Sequence, residues 1–190
     1  MTTNNSSRKV GVIIGSLRKE AFSGKTARAL IELAPAGLTL EIIEIGQLPL
    51  YNQDGDDSKS PPAPWTQFRE RLNTVDAILF VTPEHNRSMP AALKNAIDIA
   101  SRPYGQNKWN GKPAAVVSVS PTSLGAFGAN HHLRQSLVFV NVAVMAQPEA
   151  YVGGAANLFD TEGRLTNTQT REFLVKFMAA FHIWIGKILG

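Results

Sequence analysis

The chain contains no cysteine, and that one absence removes disulfides, thiolate zinc sites, iron–sulfur clusters and thiol nucleophiles together. Any redox chemistry has to come from a bound cofactor. An unbroken apolar span is missing too. The most apolar stretch, FLVKFMAAFHIWIGKIL at 173–189, is interrupted by Lys176, His182 and Lys187, whereas a membrane-crossing helix needs about 20 mostly apolar residues. It reads as a buried terminal helix, and no membrane partner is expected. The opening MTTNNSSRK is polar, with no apolar core of a signal peptide; residues 1–8 read as a flexible tail on a cytoplasmic protein. A basic stripe is also lacking. The net charge is +4, but the lysines and arginines are scattered and not interleaved with aromatics, so no nucleic-acid partner is expected and an anionic cofactor or substrate accounts for the balance. No internal repeat or linker divides the 190 residues, and the length predicts one domain over 9–190.

What is present is a regular alternation. Apolar, β-branched runs at 10–15 (VGVIIG), 77–83 (AILFVTP) and 114–120 (AAVVSVS) read as strands buried on both faces, the habit of parallel sheets. Segments 39–46 and 140–149 add a fourth and a weaker fifth. Helical patterns fall between and after them at 24–33, 65–73, 91–100, 128–137 and 169–188. This order predicts a doubly wound α/β sheet with right-handed crossovers, whose ligands sit outside the carboxyl ends of the strands. The loops to interrogate are 15–26, 48–52, 82–88 and 118–125. The segment 51–64, acidic and then proline-rich, reads as a solvated surface excursion.

The first loop, GSLRKEAFSGKT at 15–26, ends like a triphosphate-binding loop. Such a loop places its first glycine five residues before the second, and position 19 here is lysine; Gly15 precedes Gly24 by nine. No later strand ends in an aspartate suited to magnesium, and the dinucleotide pattern G-x-G-x-x-G is absent. What remains is a longer loop in which Ser16, Arg18 and Ser23 set two hydroxyls and a guanidinium before a helix N-terminus, an arrangement suited to a phosphate monoester. Read without a ligand, Ser23 is only an N-cap and Arg18 a solvated charge.

Taken with TPEHNRSMPAALKNAIDIASRP at 82–103, the loop resembles the NADPH-dependent FMN reductase family in its chromate- and quinone-reductase branch, whose members carry G-S-L-R-x-x-S and P-E-Y-N-x-S-x-P-x-x-L-K-N-A-I-D-W. The resemblance implies a three-layer flavodoxin-like fold with a five-stranded parallel sheet of order 2-1-3-4-5. It implies noncovalent FMN at the strand ends, with NADPH or NADH as co-substrate. It also implies a homodimer or homotetramer with the flavins near the interface. Carried over, Ser16, Arg18 and Ser23 hold the FMN phosphate with help from Lys25. Pro83, Glu84, His85 and Asn86 line the isoalloxazine, chiefly through backbone groups, and the segment from Ser118 through Ser120 to Gly125 borders its other edge. Arg87 and Ser88 lie close by, and Arg87 and Arg102 are candidates to favour anionic acceptors or the 2′-phosphate of NADPH.

Two departures stand out. Lys25 replaces a customary asparagine, and His85 and His131 replace tyrosines that in relatives join an inter-subunit network with an acidic residue resembling Glu149. Two histidines there would let assembly or the flavin environment respond to pH. A metal site at His131-His132 is not expected, because adjacent helical residues do not face one point, and no Ser/His/Asp triad is visible. Asn95 and Asp98 read as anchors of their helix. No side chain is assigned as catalytic, because the flavin carries the chemistry. The expected reaction is ping-pong transfer of hydride from NAD(P)H to FMN and on to quinones, ferric chelates, chromate or similar acceptors. The alternative is an FMN-binding electron carrier without reductase activity, against which the positive charge argues.

Overall fold

The apolar runs pair as parallel strands in the computed structural model, which describes residues 7–190. Positions 1–6 of the expected tail lie outside the described residues. Its last two positions are not tail: Ser7 Oγ lies 2.7 Å from Thr39 Oγ1, and Arg8 opens β1 (Arg8–Ile14). There follow α1 (Phe22–Glu32), β2 (Leu38–Ile42), α2 (Gln53–Asp57), α3 (Ala63–Asn73), β3 (Ala77–Thr82), α4 (Ala91–Ala100), β4 (Pro113–Val119), α5 (Phe127–Phe139), β5 (Ala143–Val144), β6 (Ala150–Val152) and α6 (Thr168–Leu189). The strand order is β2-β1-β3-β4-β5, with β6 also on β4 and every pairing parallel.

Alternation along each strand builds two cores. Val10, Val12, Leu79, Val81, Ala115 and Val117 face α1 and α6, where Leu30, Phe177 and Phe181 are completely enclosed. Ile13, Ile78, Phe80 and Val116 face the other way, into Trp65 of α3, Leu93 of α4 and Leu133 of α5. Each such side chain contributes about 1.5–3 kcal/mol through burial, and the three layers hold the strand ends in fixed register. No helix among the described residues is long and apolar enough to cross a membrane.

Two further expectations are corrected. The fifth strand is not continuous over 140–149: β5 pairs with Pro113–Ala114 at one end of β4, and β6 with Val117–Val119 at the other. Between them Pro148 has no N–H to lend a ladder. Nor is 51–64 wholly a solvated excursion. It contains α2, capped by the Asn52 side chain accepting from Asp54 N–H at 3.1 Å. Its Asp56 is enclosed in a two-pronged pair with Arg69 of α3, at 2.7 and 2.8 Å. Of the acidic run, Asp56 is paired with a buried guanidinium, while Asp54 and Asp57 are exposed.

Candidate cofactor site

The loop after β1 runs from Gly15 to Ala21 and delivers the chain to α1. Gly15 is held between strands: a Cβ there would stand 3.0 Å from Thr82 Oγ1 and 3.3 Å from Pro83 Cδ, so the loops after β1 and β3 leave the sheet side by side. Ser16 Oγ turns back to accept from Arg18 N–H at 3.3 Å, and the Arg18 side chain is exposed. The N-cap of α1 is Ala21, which offers no capping oxygen, and the first turn holds no acidic residue. The first helical N–H bonded to its own chain's carbonyl here is Lys25 N–H, to Ala21 O. The donors before it point out of the helix end with the positive pole of its dipole.

Two hydroxyls in that turn, Ser23 Oγ and Thr26 Oγ1, are buried and without a hydrogen-bond partner. Buried hydroxyls are nearly always paired. An uncapped helix end with two orphaned hydroxyls and an adjacent guanidinium fits a phosphate monoester, so this donor set suits the terminal phosphate of FMN. Lys25 is engaged elsewhere: its Nζ lies 3.5 Å from Glu20 Oε2 and 6.0 Å from the Phe22 ring centroid, and its stem runs against Gly163.

After β3 the chain makes a two-residue turn. His85 and Ser88 exchange backbone hydrogen bonds of 2.9 and 3.0 Å, and Asn86 and Arg87 between them both have positive φ, 50° and 67°. Such a type I′ turn favours asparagine first and glycine second. Arginine in the left-handed region costs about 1–2 kcal/mol, and strain of this kind gathers at functional sites. Arg87→Gly is therefore expected to raise stability by about 0.5–1 kcal/mol, after allowing for glycine's greater unfolded-state freedom; the urea midpoint of unfolding measures it. Thr82 Oγ1 is satisfied by Pro83 O at 2.8 Å, and the Glu84 side chain leaves the turn to reach α5.

After β4 the chain loops from Ser120 to Ala126. Ser120 Oγ meets Thr122 O and Oγ1 at 3.0 and 2.9 Å. Ser118 does not present its hydroxyl to the cleft: it is fully buried, donates to Gly125 O at 2.7 Å and receives Asn130 Nδ2 at 3.1 Å. It shapes the loop from behind. Gly125, at φ +58°, lies so close to β6 that a Cβ would meet the Tyr151 carbonyl carbon at 2.7 Å.

Beside this loop Phe127, His131 and Tyr151 form an aromatic cluster, with centroids 4.2 Å apart for Phe127–His131 and 5.3 Å for Phe127–Tyr151. His131 Nε2 lies 2.9 Å from Tyr151 Oη, so within the chain His131 partners a tyrosine two residues beyond Glu149, and not His85, which is exposed at the turn. Desolvation first, then a hydrogen bond to Glu149 and its charge, push the Tyr151 phenol up to about 12 from 10.0. A group whose folded pKa is raised stabilises below its unfolded pKa and loses that contribution as pH rises through the folded one. Alkaline loss of stability between pH 10 and about 12 should therefore flatten in Tyr151→Phe, as measured by urea unfolding across that window.

The structure thus brings Ser16, Arg18, Ser23, Pro83 to Asn86, Arg87, Ser88, Ser120 and Gly125 to the carboxyl ends of β1, β3 and β4. It sets Arg102 apart, just past the C-terminal end of α4, where its guanidinium lies 5.8 Å from the Tyr104 ring and lines a groove with Tyr51 and Phe139. Asn95 is an anchor as expected, receiving Tyr51 N–H at 2.8 Å and donating to Leu48 O and Pro49 O. Sequence reasoning misses Thr26 and Tyr151. The signal for Thr26 is its position one turn beyond the missing cap.

A parallel sheet of this order with helices on both faces defines a flavodoxin-like fold. Residues 8–157 match the family of NADPH-dependent FMN reductases. A quinone reductase of Pseudomonas putida is 60% identical over 176 residues, 93% of this chain and 94% of the relative. A 2-hydroxy-1,4-benzoquinone reductase of a Burkholderia species is 40% identical, over 93% and 96%. Among solved structures, the flavoenzyme NAD(P)H:(acceptor) oxidoreductase FerB of Paracoccus denitrificans superposes with a TM-score of 0.88 at 42% identity, covering 95% of this chain and 98% of that one. The chain belongs to the NADPH-dependent FMN reductase family and is an NAD(P)H-dependent, FMN-containing oxidoreductase.

Proposed function

We propose that the protein reduces quinones with NAD(P)H by a ping-pong mechanism, with ferric chelates and chromate as further acceptors. The observation that carries the site assignment is the pair of unpartnered hydroxyls, Ser23 and Thr26, at the uncapped start of α1; the relatives' activities support quinones as the acceptor class. When bound, FMN supplies two-electron acceptance from a nicotinamide and delivery to a quinone. The chain's part is to hold and orient it. Ser16, Arg18, Ser23 and Thr26 bind the phosphate with the first-turn N–H groups, and Lys25 stays on Glu20. The backbone of Pro83 to Asn86 and of the Ser120–Gly125 loop flanks the ring system. Arg87 and Ser88, at the rim, meet whichever substrate is seated there.

The same reading includes a homodimer packed through α4 and α5. Val138 and Phe139 on α5 are 72% and 89% exposed, and they adjoin a groove of about 410 Å³ walled by Tyr51, Ile97, Arg102 and Val140. A second copy burying that face accounts for large apolar side chains left in water. An NAD(P)H-consuming enzyme works where that reductant is made, and we place it in the cytoplasm.

Anaerobic titration tests the activity. The purified protein should be yellow, bleach with NADPH or NADH, and recover on adding benzoquinone, with parallel lines in double-reciprocal plots. A preparation that neither holds nor takes up FMN would sink the proposal.

A further inference from the structure

The carboxylate of Glu84 belongs to the turn beside the cofactor site but points away from it. Its Oε2 accepts from Ala129 N–H at 3.1 Å, in the first turn of α5, whose N-cap Ala126 supplies no side-chain oxygen. The donors and positive pole of that helix end are thus answered by a carboxylate from another element. The approach is close enough to depend on a missing side chain. A Cβ on Gly128 would stand 2.9 Å from both Glu84 Oε2 and the Arg87 carbonyl oxygen. One helical turn along α5, His132 Nδ1 makes a second tie, 3.0 Å from Ser88 Oγ. The 84–88 turn is therefore fastened at both ends, while the two residues between hold positive φ values that a loose segment would relax.

We infer that Glu84 is a positioning residue: through the N-terminus of α5, and against Gly128, it sets the backbone of Pro83 to Asn86 that faces the flavin. This rests on the FMN-site reading above. Glu84→Gln keeps an acceptor oxygen for Ala129 N–H and preserves the placement. Glu84→Ala removes it, and Gly128→Ala keeps the carboxylate but crowds its Oε2 and the Arg87 carbonyl oxygen, pushing the turn off the helix.

The test is titration of the apoproteins with FMN, read by fluorescence quenching and by the visible circular dichroism of the bound flavin, beside the thermal midpoint of each apoprotein. Glu84→Ala should weaken FMN binding about tenfold, the loss of roughly one hydrogen bond to a charged group, and alter the dichroism. Gly128→Ala should do the same, and Glu84→Gln should stay within about threefold of the parent. Parent-like affinity and dichroism in Glu84→Ala overturn the inference, as does an equal loss in Glu84→Gln, which would make charge and not placement the cause. Should Glu84→Ala fail to fold, Gly128→Ala decides between the same two outcomes: weakened binding supports the placement role and parent-like binding overturns it. A parent protein that binds no FMN instead overturns the proposed function, so the two failures are told apart.

Discussion

Ala21→Asp should make the apoprotein more stable and nearly unable to keep its flavin. Ala21 has the extended backbone of an N-cap, φ −69° and ψ 139°, without a capping oxygen. Aspartate at an N-cap in place of alanine contributes about 1 kcal/mol by accepting from the first-turn N–H groups and facing the helix dipole. Those are the donors assigned to the FMN phosphate, so the new carboxylate competes for them and repels the dianion. A penalty of about 2.7 kcal/mol corresponds to roughly 100-fold weaker binding. Ala21→Asn, which caps without charge, separates competition from repulsion and should fall between. Isothermal titration with FMN and thermal melting of the apoproteins measure the two effects. If stability rises while FMN affinity stays put, the phosphate is not at this helix end.

The second large effect concerns stability. Arg69 and Asp56 have side chains only 8% and 4% exposed, and Arg69 Nε also donates to Ile99 O at 2.9 Å, tying α2, α3 and the end of α4 together. Removing one partner of a buried pair leaves the other charge without compensation, at a cost of about 3–5 kcal/mol. Against a total stability of about 5–15 kcal/mol, Arg69→Ala should approach the limit of folding. The double variant Arg69→Met with Asp56→Asn leaves no bare charge and should recover most of the loss. Urea unfolding of the single and double variants decides it; a single variant within about 1 kcal/mol of the parent would mean that water reaches Asp56.

Strand positions are legible in the sequence because both-face burial writes itself as continuous apolar runs: β3 from Ala77 to Thr82 is enclosed at every residue. The loops follow from the strand ends, and the nine-residue gap from Gly15 to Gly24 points to one phosphate, not three. Directions of side chains are not legible. Nothing in P-E-H-N says that the glutamate turns to a helix some 45 residues away, because that partner is a backbone N–H with no sequence signature. Asp56 in a run of acids looks solvated because nothing in the sequence singles out Arg69, 13 residues on, as its partner. Thr26 escapes notice because an isolated hydroxyl within a helix signals nothing until its surroundings prove dry.

The division of the last sheet edge into β5 and β6 bears on what the molecule can stick to. Ala143 and Met145 direct their N–H groups at β4, so alternation turns Val144 and its even-numbered neighbours outward. Val144 N–H is already spent on Val142 O at 3.0 Å, and Pro148 has none. A stray strand approaching this border meets no run of free donors, the kind of blunting that deters edge-to-edge aggregation. Amyloid-like growth of the sheet is thereby hindered at this border, which leaves β2, at the opposite end of the strand order, as the sheet's other edge.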